Sequence, residues 1–248
     1  MLAEFLDKMK LMILAAEPEK HIETQPGTRT FYHGQEVIDP EPGKIDVTTL
    51  AGLIEVATHL LDRDEPLFGI VISDPTTVYL YGEEDRHRRR PLLAEANCPP
   101  RTRFPLENWM SQEDFVTMAQ ACFVPSNNLT KMLQVIGTLK AGRVTTYEDD
   151  GVTQQVQATA GIERVQLVDV PNPIRLAPYR TFIEIEQPTS EFVLRLRGGG
   201  ENEKPKMGLY EVVDGEWRID AMNDIKAHLD GLILADGDFD SSSFRVFV

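Results

Sequence analysis

Residues 170–197 read VPNPIRLAPYRTFIEIEQPTSEFVLRLR, and the rest of the chain is most easily arranged around them. Pro171, Pro173 and Pro178 predict an extended entry. Two runs in which apolar and charged residues alternate then predict a β-hairpin, with strands Tyr179–Glu186 and Glu191–Arg197 joined by Gln187-Pro188-Thr189-Ser190. Pairing Glu186 with Glu191 puts Ile183, Ile185, Phe192, Leu194 and Leu196 on one face. Arg180, Glu184, Glu186, Glu191, Arg195 and Arg197 fall on the other. This is the period-two split of a half-buried sheet. The opposed glutamates repel in that register, and Glu184, diagonal to Arg195, offsets them.

Downstream, Leu209–Val213 and Glu216–Ile219 flank Asp214-Gly215 and read as a second hairpin, with Val212 opposite Trp217 and Glu211 opposite Arg218. Asp220 can cap a helix Ala221–Leu234 that buries Met222, Ile225, Leu229 and Ile233. Phe244–Val248 is expected to close the fold as a strand. Upstream, Arg143–Glu148 and Val152–Ala160 flank Asp149-Asp150-Gly151 as a ribbon within 143–160 that is polar on both faces. Such a ribbon is either a solvated sheet edge or a projection that pairs with another subunit, through residues such as Thr145, Tyr147, Gln154 and Val156.

Farther upstream, Ser111 and Ser126 head two helices with Phe115, Met118, Ala119, Cys122, Leu129, Met132, Leu133, Ile136 and Leu139 facing inward. Leu67–Ile72, Thr76–Tyr81 and Leu92–Ala96 read as strands, and a helix capped by Thr48 or Thr49 runs to Asp62. The Pro-punctuated stretch 17–46 reads as an irregular linker. It tethers an N-terminal helix whose stripe includes Leu2, Phe5 and Met9, which docks on its own chain or on a neighbour. The expected fold is therefore α+β, with antiparallel hairpins and four to six packed helices. A helix-and-linker arm (1–46) precedes a single core domain (47–248) that includes the projecting polar ribbon.

Asn172-Pro173, Leu176, Pro178 through Phe182, Glu184, Glu186-Gln187-Pro188, Ser190 and Phe192 through Arg195 resemble the central signature of the YfdQ-like family of bacteriophage and prophage proteins. Asp149-Asp150-Gly151, and Trp217 with Ile219, Ala221 and Ile225, fit the same pattern, so that the resemblance spans roughly residues 45–235. It implies a phage-derived origin and a bacterial cytoplasmic setting. It implies no activity, because no catalytic residues are established for that family.

The net charge of −15 repels nucleic-acid backbones, so general DNA or RNA binding is disfavoured. No apolar run is long enough to span a bilayer, and charges at Glu4, Asp7, Lys8 and Lys10 break the pattern of an export signal. Two cysteines, Cys98 and Cys122, make no disulfide framework, in keeping with a reducing compartment.

Candidate chemistry is sparse. Arg86, Arg88, Arg89 and Arg90, around His87 and with Arg101 and Arg103 nearby, are the one candidate basic patch, which either holds a phosphorylated ligand or an acidic partner or is neutralised by the preceding Glu83-Glu84-Asp85. Glu184 and Glu186 share a strand face and could hold a metal, but their arginine neighbours explain them as a charge ladder. Asp236, Asp238 and Asp240 begin like a calcium loop yet lack its glycine and final glutamate. Asp220, Asp224 and Lys226 match a nuclease triad only loosely. Neither cysteine has a histidine at close spacing, and the five histidines show no ligand spacing, so no metal or cofactor is expected. The expected function is non-enzymatic: a phage accessory protein acting through homo-oligomeric assembly, as a ring or shell, and partner binding. Alternatives are a protein that binds a nucleotide or other phosphorylated ligand to counter host defence, or an acidic inhibitor of a host DNA-handling protein.

Overall fold

The computed structural model describes residues 7–9, 19–24, 27–32, 35–36, 43–63, 65–85, 88–138, 144–149, 154–159, 165–169, 172–197, 205–213, 215–236, 239 and 244–248. The fold is α+β with mostly antiparallel strands, and its buried side chains fall into two cores, each built from a pair of helices on one face of a sheet.

The first core rests on a five-stranded sheet. Its centre is an antiparallel meander of β5 (Leu67–Asp74), β6 (Thr77–Gly82) and β7 (Leu92–Asn97). Two short parallel strands flank it: β4 (Ile45–Val47) beside β7, and β15 (Arg245–Phe247) beside β5. Gly69, at φ +153°, permits the second of these, because a Cβ there would stand 2.4 Å from the carbonyl oxygen of Arg245. Helix α1 (Leu50–Leu61) is capped by Thr49, whose Oγ1 accepts from Gly52 N at 3.1 Å, and it buries Leu50, Leu53, Ile54 and Ala57. Helix α4 (Glu216–Asp236) adds Ile225, Leu229 and Ile233 to this core.

The second core rests on an antiparallel sheet in the order β12 (Ile174–Leu176), β13 (Ser190–Arg197), β14 (Lys206–Glu211), β8 (Met110–Ser111). Helix α2 (Gln112–Cys122), capped by Ser111, and helix α3 (Asn127–Thr138), whose Leu129 N donates to Ser126 Oγ, cover it. Phe115, Phe123, Phe192, Met132 and Leu176 lie at its centre. Two further three-stranded sheets are present: β1–β3 (Glu19–Thr24, Gly27–Tyr32, Gln35–Glu36), and β9 (Val144–Asp149), β10 (Gln154–Thr159) and β11 (Val165–Asp169) with β10 central.

Three expectations are corrected. The stretch 17–46 is not irregular throughout, since four strands begin within it. The strand expected at Tyr179–Glu186 does not form, although β13 does. The place beside β13 is taken by β12, whose buried Ile174 and Leu176 continue the apolar face, and Glu191 is opposite Arg175 instead of Glu186. The Asn172 side chain extends that pairing by exchanging both hydrogen bonds with the Leu194 backbone. Residues Glu216–Ile219, expected as a strand, form the first turn of α4. Trp217 stands four residues before Ala221, and Ala221, Ile225, Leu229 and Ile233 repeat at that spacing along the buried side, so the helical period reaches back to the tryptophan.

Candidate functional site

The segment 177–189, without strand structure, passes between the two cores. Phe182 and Ile185 point into the first, while Tyr179 N donates to Cys122 O at 2.9 Å at the end of α2 in the second. Backbone groups buried outside a sheet need partners, and here side chains supply them. Gln187, 7% exposed, accepts from Arg180 N at 3.0 Å and Thr181 N at 3.3 Å, and donates to Phe182 O at 2.8 Å and Ile185 O at 3.3 Å. Thr181 Oγ1 donates to Pro75 O in the β5–β6 turn. Glu184 accepts from Leu50 N at 2.8 Å and Ala51 N at 2.9 Å, placing a carboxylate at the positive end of α1.

Along this seam lies a cleft with two chambers. The larger, of about 370 Å³, has Phe104, Phe123, Pro178, Tyr179 and Trp217 as its apolar walls, with Asp74, Arg103, Arg180, Glu211 and Arg218 among its polar lining. The smaller, of about 180 Å³, is lined by Cys98, Pro99, Pro100, Arg101, Arg103 and Thr181 among others. Thr76, Arg103, Tyr179 and Arg180 belong to both, so the chambers share a wall.

The four arginines differ in their engagement. Arg180 is held: Nη1 donates to Glu211 Oε1 at 2.9 Å, Nη2 donates to Ser190 Oγ, and the guanidinium lies 4.0 Å from the Trp217 ring centroid. Arg101, Arg103 and Arg218 are exposed and make no ion pair with any described residue; Arg101 lies 5.3 Å from the Tyr179 ring centroid and Arg218 lies 5.6 Å from that of Trp217. Asp74 Oδ1 is engaged within its own turn, accepting from Thr76 N at 2.7 Å and Thr76 Oγ1 at 2.6 Å. The cleft thus concentrates positive charge and aromatic faces in a chain of net charge −15.

The two thiols stand on either side of the seam. Burial pushes both up; for Cys98 the neighbouring Arg101 pulls back and Glu184 adds to the rise. That is opposite to the shift a nucleophilic cysteine needs.

The residues expected to bind ligand lie elsewhere. Arg89 forks onto Asp85 (Nε 2.9 Å, Nη2 2.7 Å), Arg88 approaches Glu84 at 3.6 Å, and Arg90 stacks 3.6 Å from the Phe68 centroid. Their loop leaves the Gly82 end of β6, whereas the cleft meets its Thr77 end; at about 3.3 Å per residue the six-residue strand separates them by roughly 20 Å. Arg86 lies outside the described residues.

Of the proposed subunit contacts, Thr145 and Tyr147 are on β9, with Tyr147 the extra residue of a bulge, and Gln154 and Val156 are on β10. Met9 is 42% exposed, and Leu2 and Phe5 lie outside the described residues. Glu184 and Glu186 do not share a strand. Asp220, Asp224 and Lys226 sit on α4, where Lys226 Nζ donates to Asp230 and to Val246 O, each at 3.0 Å. Asp238 and Asp240 lie outside the described residues. Among the described residues no cluster of three or more His, Cys, Asp or Glu is placed to hold a metal, and no helix is long and apolar enough to cross a membrane.

Sequence reasoning set Arg101 and Arg103 beside the basic run 86–90 and did not join them to Tyr179 and Trp217, because the four come from three separate segments. The only local trace was Arg101 and Arg103 beside Pro99-Pro100, two apart in an extended run. Compared with protein-family models, with curated proteins and with solved structures, the chain matches none of them.

Proposed function

We propose that the chain is a binding protein that holds a small anionic, ring-bearing ligand in the cleft between its two cores. The observation that carries this reading is the gathering of Arg101, Arg103 and Arg218, none paired with a described acid, around a cavity walled by Tyr179, Trp217 and two phenylalanines. A concave apolar site with a few convergent polar groups is the usual form of a small-molecule site, and 370 Å³ lies near the small end of the common range of about 300–1,000 Å³. Binding is favoured over covalent catalysis because both thiols at the cleft are pushed away from the thiolate. The resemblance to phage proteins supports placing this binding in a bacterial host cell. Calorimetric titration with small aromatic carboxylates and phosphates tests the reading. Binding that is lost in an Arg103→Ala, Arg218→Ala double variant supports it, and no binding by any member removes it.

A second reading, homo-oligomeric assembly, is favoured by the β9–β11 sheet, whose outer strands each have one strand partner among the described residues and so offer backbone donors and acceptors along their other side. Excising 144–169 behind a Gly/Ser bridge should lower the native mass while both cores stay folded. A single 28.0 kDa species of the intact chain at all micromolar concentrations would remove this reading.

A further inference from the structure

Resting on the ligand-binding reading of the cleft, we infer that the ligand is a mononucleotide, with its phosphate at Arg101 and Arg103 in the smaller chamber and its heterocycle in the larger. The two chambers differ in chemistry. The smaller is lined by Arg101 and Arg103, and by Arg180, which Glu211 already holds; at about 180 Å³ it is suited to a compact tetrahedral anion and too small for a ring system and sugar together. The larger supplies the faces and edges of Phe104, Phe123, Tyr179 and Trp217, which favour a flat ring. The shared wall, Thr76, Arg103, Tyr179 and Arg180, lets one ligand occupy both.

The larger chamber also contains acceptors, and these separate a nucleotide from a simple aryl phosphate. Asp74 uses Oδ1 within its turn, while Oδ2 makes no hydrogen bond with a described residue. A carboxylate oxygen beside an anionic ligand is unfavourable unless the ligand presents it with a donor. An exocyclic amino group, a ring N–H or a ribose hydroxyl is such a donor; the ring of a plain aryl phosphate is not. Arg218, whose guanidinium lies 5.6 Å from the Trp217 ring centroid, adds a cation to the larger chamber's lining that can lie against the base.

The reporter is built in. The chain has two tryptophans; Trp217 lines the cleft, and Trp109 stacks edge-on against Tyr210 outside it. In a Trp109→Phe background, emission from Trp217 should be quenched on titration with adenosine, guanosine, cytidine or uridine monophosphate. The matching nucleosides and inorganic phosphate alone should bind at least tenfold more weakly. Arg101→Ala with Arg103→Ala should weaken the mononucleotide at least tenfold more than it weakens the nucleoside, while leaving the thermal melt unchanged, since both side chains are exposed. Binding of aromatic carboxylates without binding of any mononucleotide overturns this inference and leaves the anionic-ligand reading standing. Binding of mononucleotides unaffected by the double substitution overturns the placement of the phosphate. Absence of binding by every probe overturns both.

Discussion

Arg180 and Glu211 form an ion pair at 2.9 Å, each side chain 10% exposed, linking the segment that feeds Phe182 into the first core to the last residue of β14 in the second. The pair ties the cores together at the cleft. Removing one partner leaves the other charge buried, a loss of about 3–5 kcal/mol. Glu211→Ala should therefore show a large fall in urea midpoint. Arg180→Met combined with Glu211→Leu should recover much of it, because an apolar pair leaves no orphaned charge. A double variant as unstable as the single one would show that the pair's worth lies in its wider contacts with Ser190 and Trp217.

Gln187 holds four backbone groups of one loop with one side-chain amide. Gln187→Ala should cost about 1–3 kcal/mol for each group that water cannot reach. Gln187→Glu should also destabilise at neutral pH, since a carboxylate cannot donate to Phe182 O and Ile185 O. Urea denaturation measures both, and a loss under 1 kcal/mol in the alanine variant would mean that the loop rehydrates freely.

Lys44 fastens the edge strand β4 to β7 by hydrogen bonding to Glu95, and it also pairs at 2.9 Å with Asp46 of β4 itself. The hydrogen bonds from Lys44, and next from Asn97, hold the Glu95 carboxyl below its usual value of 4.5, and those to Glu95 and Asp46 hold Lys44 above its own. A depressed acid stabilises the fold above its ordinary value and loses that contribution as pH falls through the depressed one. A raised base stabilises below its ordinary value and loses that contribution as pH rises through the raised one. The pair should therefore act at constant strength through neutral pH. The difference in melting temperature between the wild type and Glu95→Gln should be flat from pH 8 to about 5 and shrink on further acidification. A difference that grows in acid contradicts the sign.

Cys98 should alkylate with iodoacetamide more slowly than a free cysteine at the same pH, because burial raises its thiol and lowers the thiolate fraction. Arg101 opposes that rise, so Arg101→Ala should slow the reaction further, as read by peptide mass mapping. Faster reaction in the variant would mean that the arginine shields the sulfur and does not tune it.

The basic loop and the cleft make opposite forecasts. Replacing Arg88, Arg89 and Arg90 with alanine should leave anionic-ligand affinity within twofold, since Arg89 and Arg90 are already engaged by Asp85 and Phe68. A tenfold loss in that variant would move the site to the loop.

Local signals in the chain determined α1 through its Thr49 cap, the β5–β6–β7 meander, α2 and α3 through Ser111 and Ser126, and strand β13 with its Phe192, Leu194 and Leu196 face. Caps, turns and periodicity act within a few residues, so they are legible in one dimension. Only the tertiary structure decided what pairs with β13 and whether Trp217 begins a helix or ends a hairpin. Alternation makes a strand competent without choosing its neighbour, and Ile174–Leu176 and Ile183–Ile185 offered similar faces. The first won the edge because Gln187 satisfies backbone groups around the second in a loop, while the Glu184 side chain is committed to the backbone N–H groups at the start of α1. The cleft is legible only after that choice. Arg101, Tyr179 and Trp217 are distant in sequence, and what brings them together is the passage of one irregular loop between two separately packed cores.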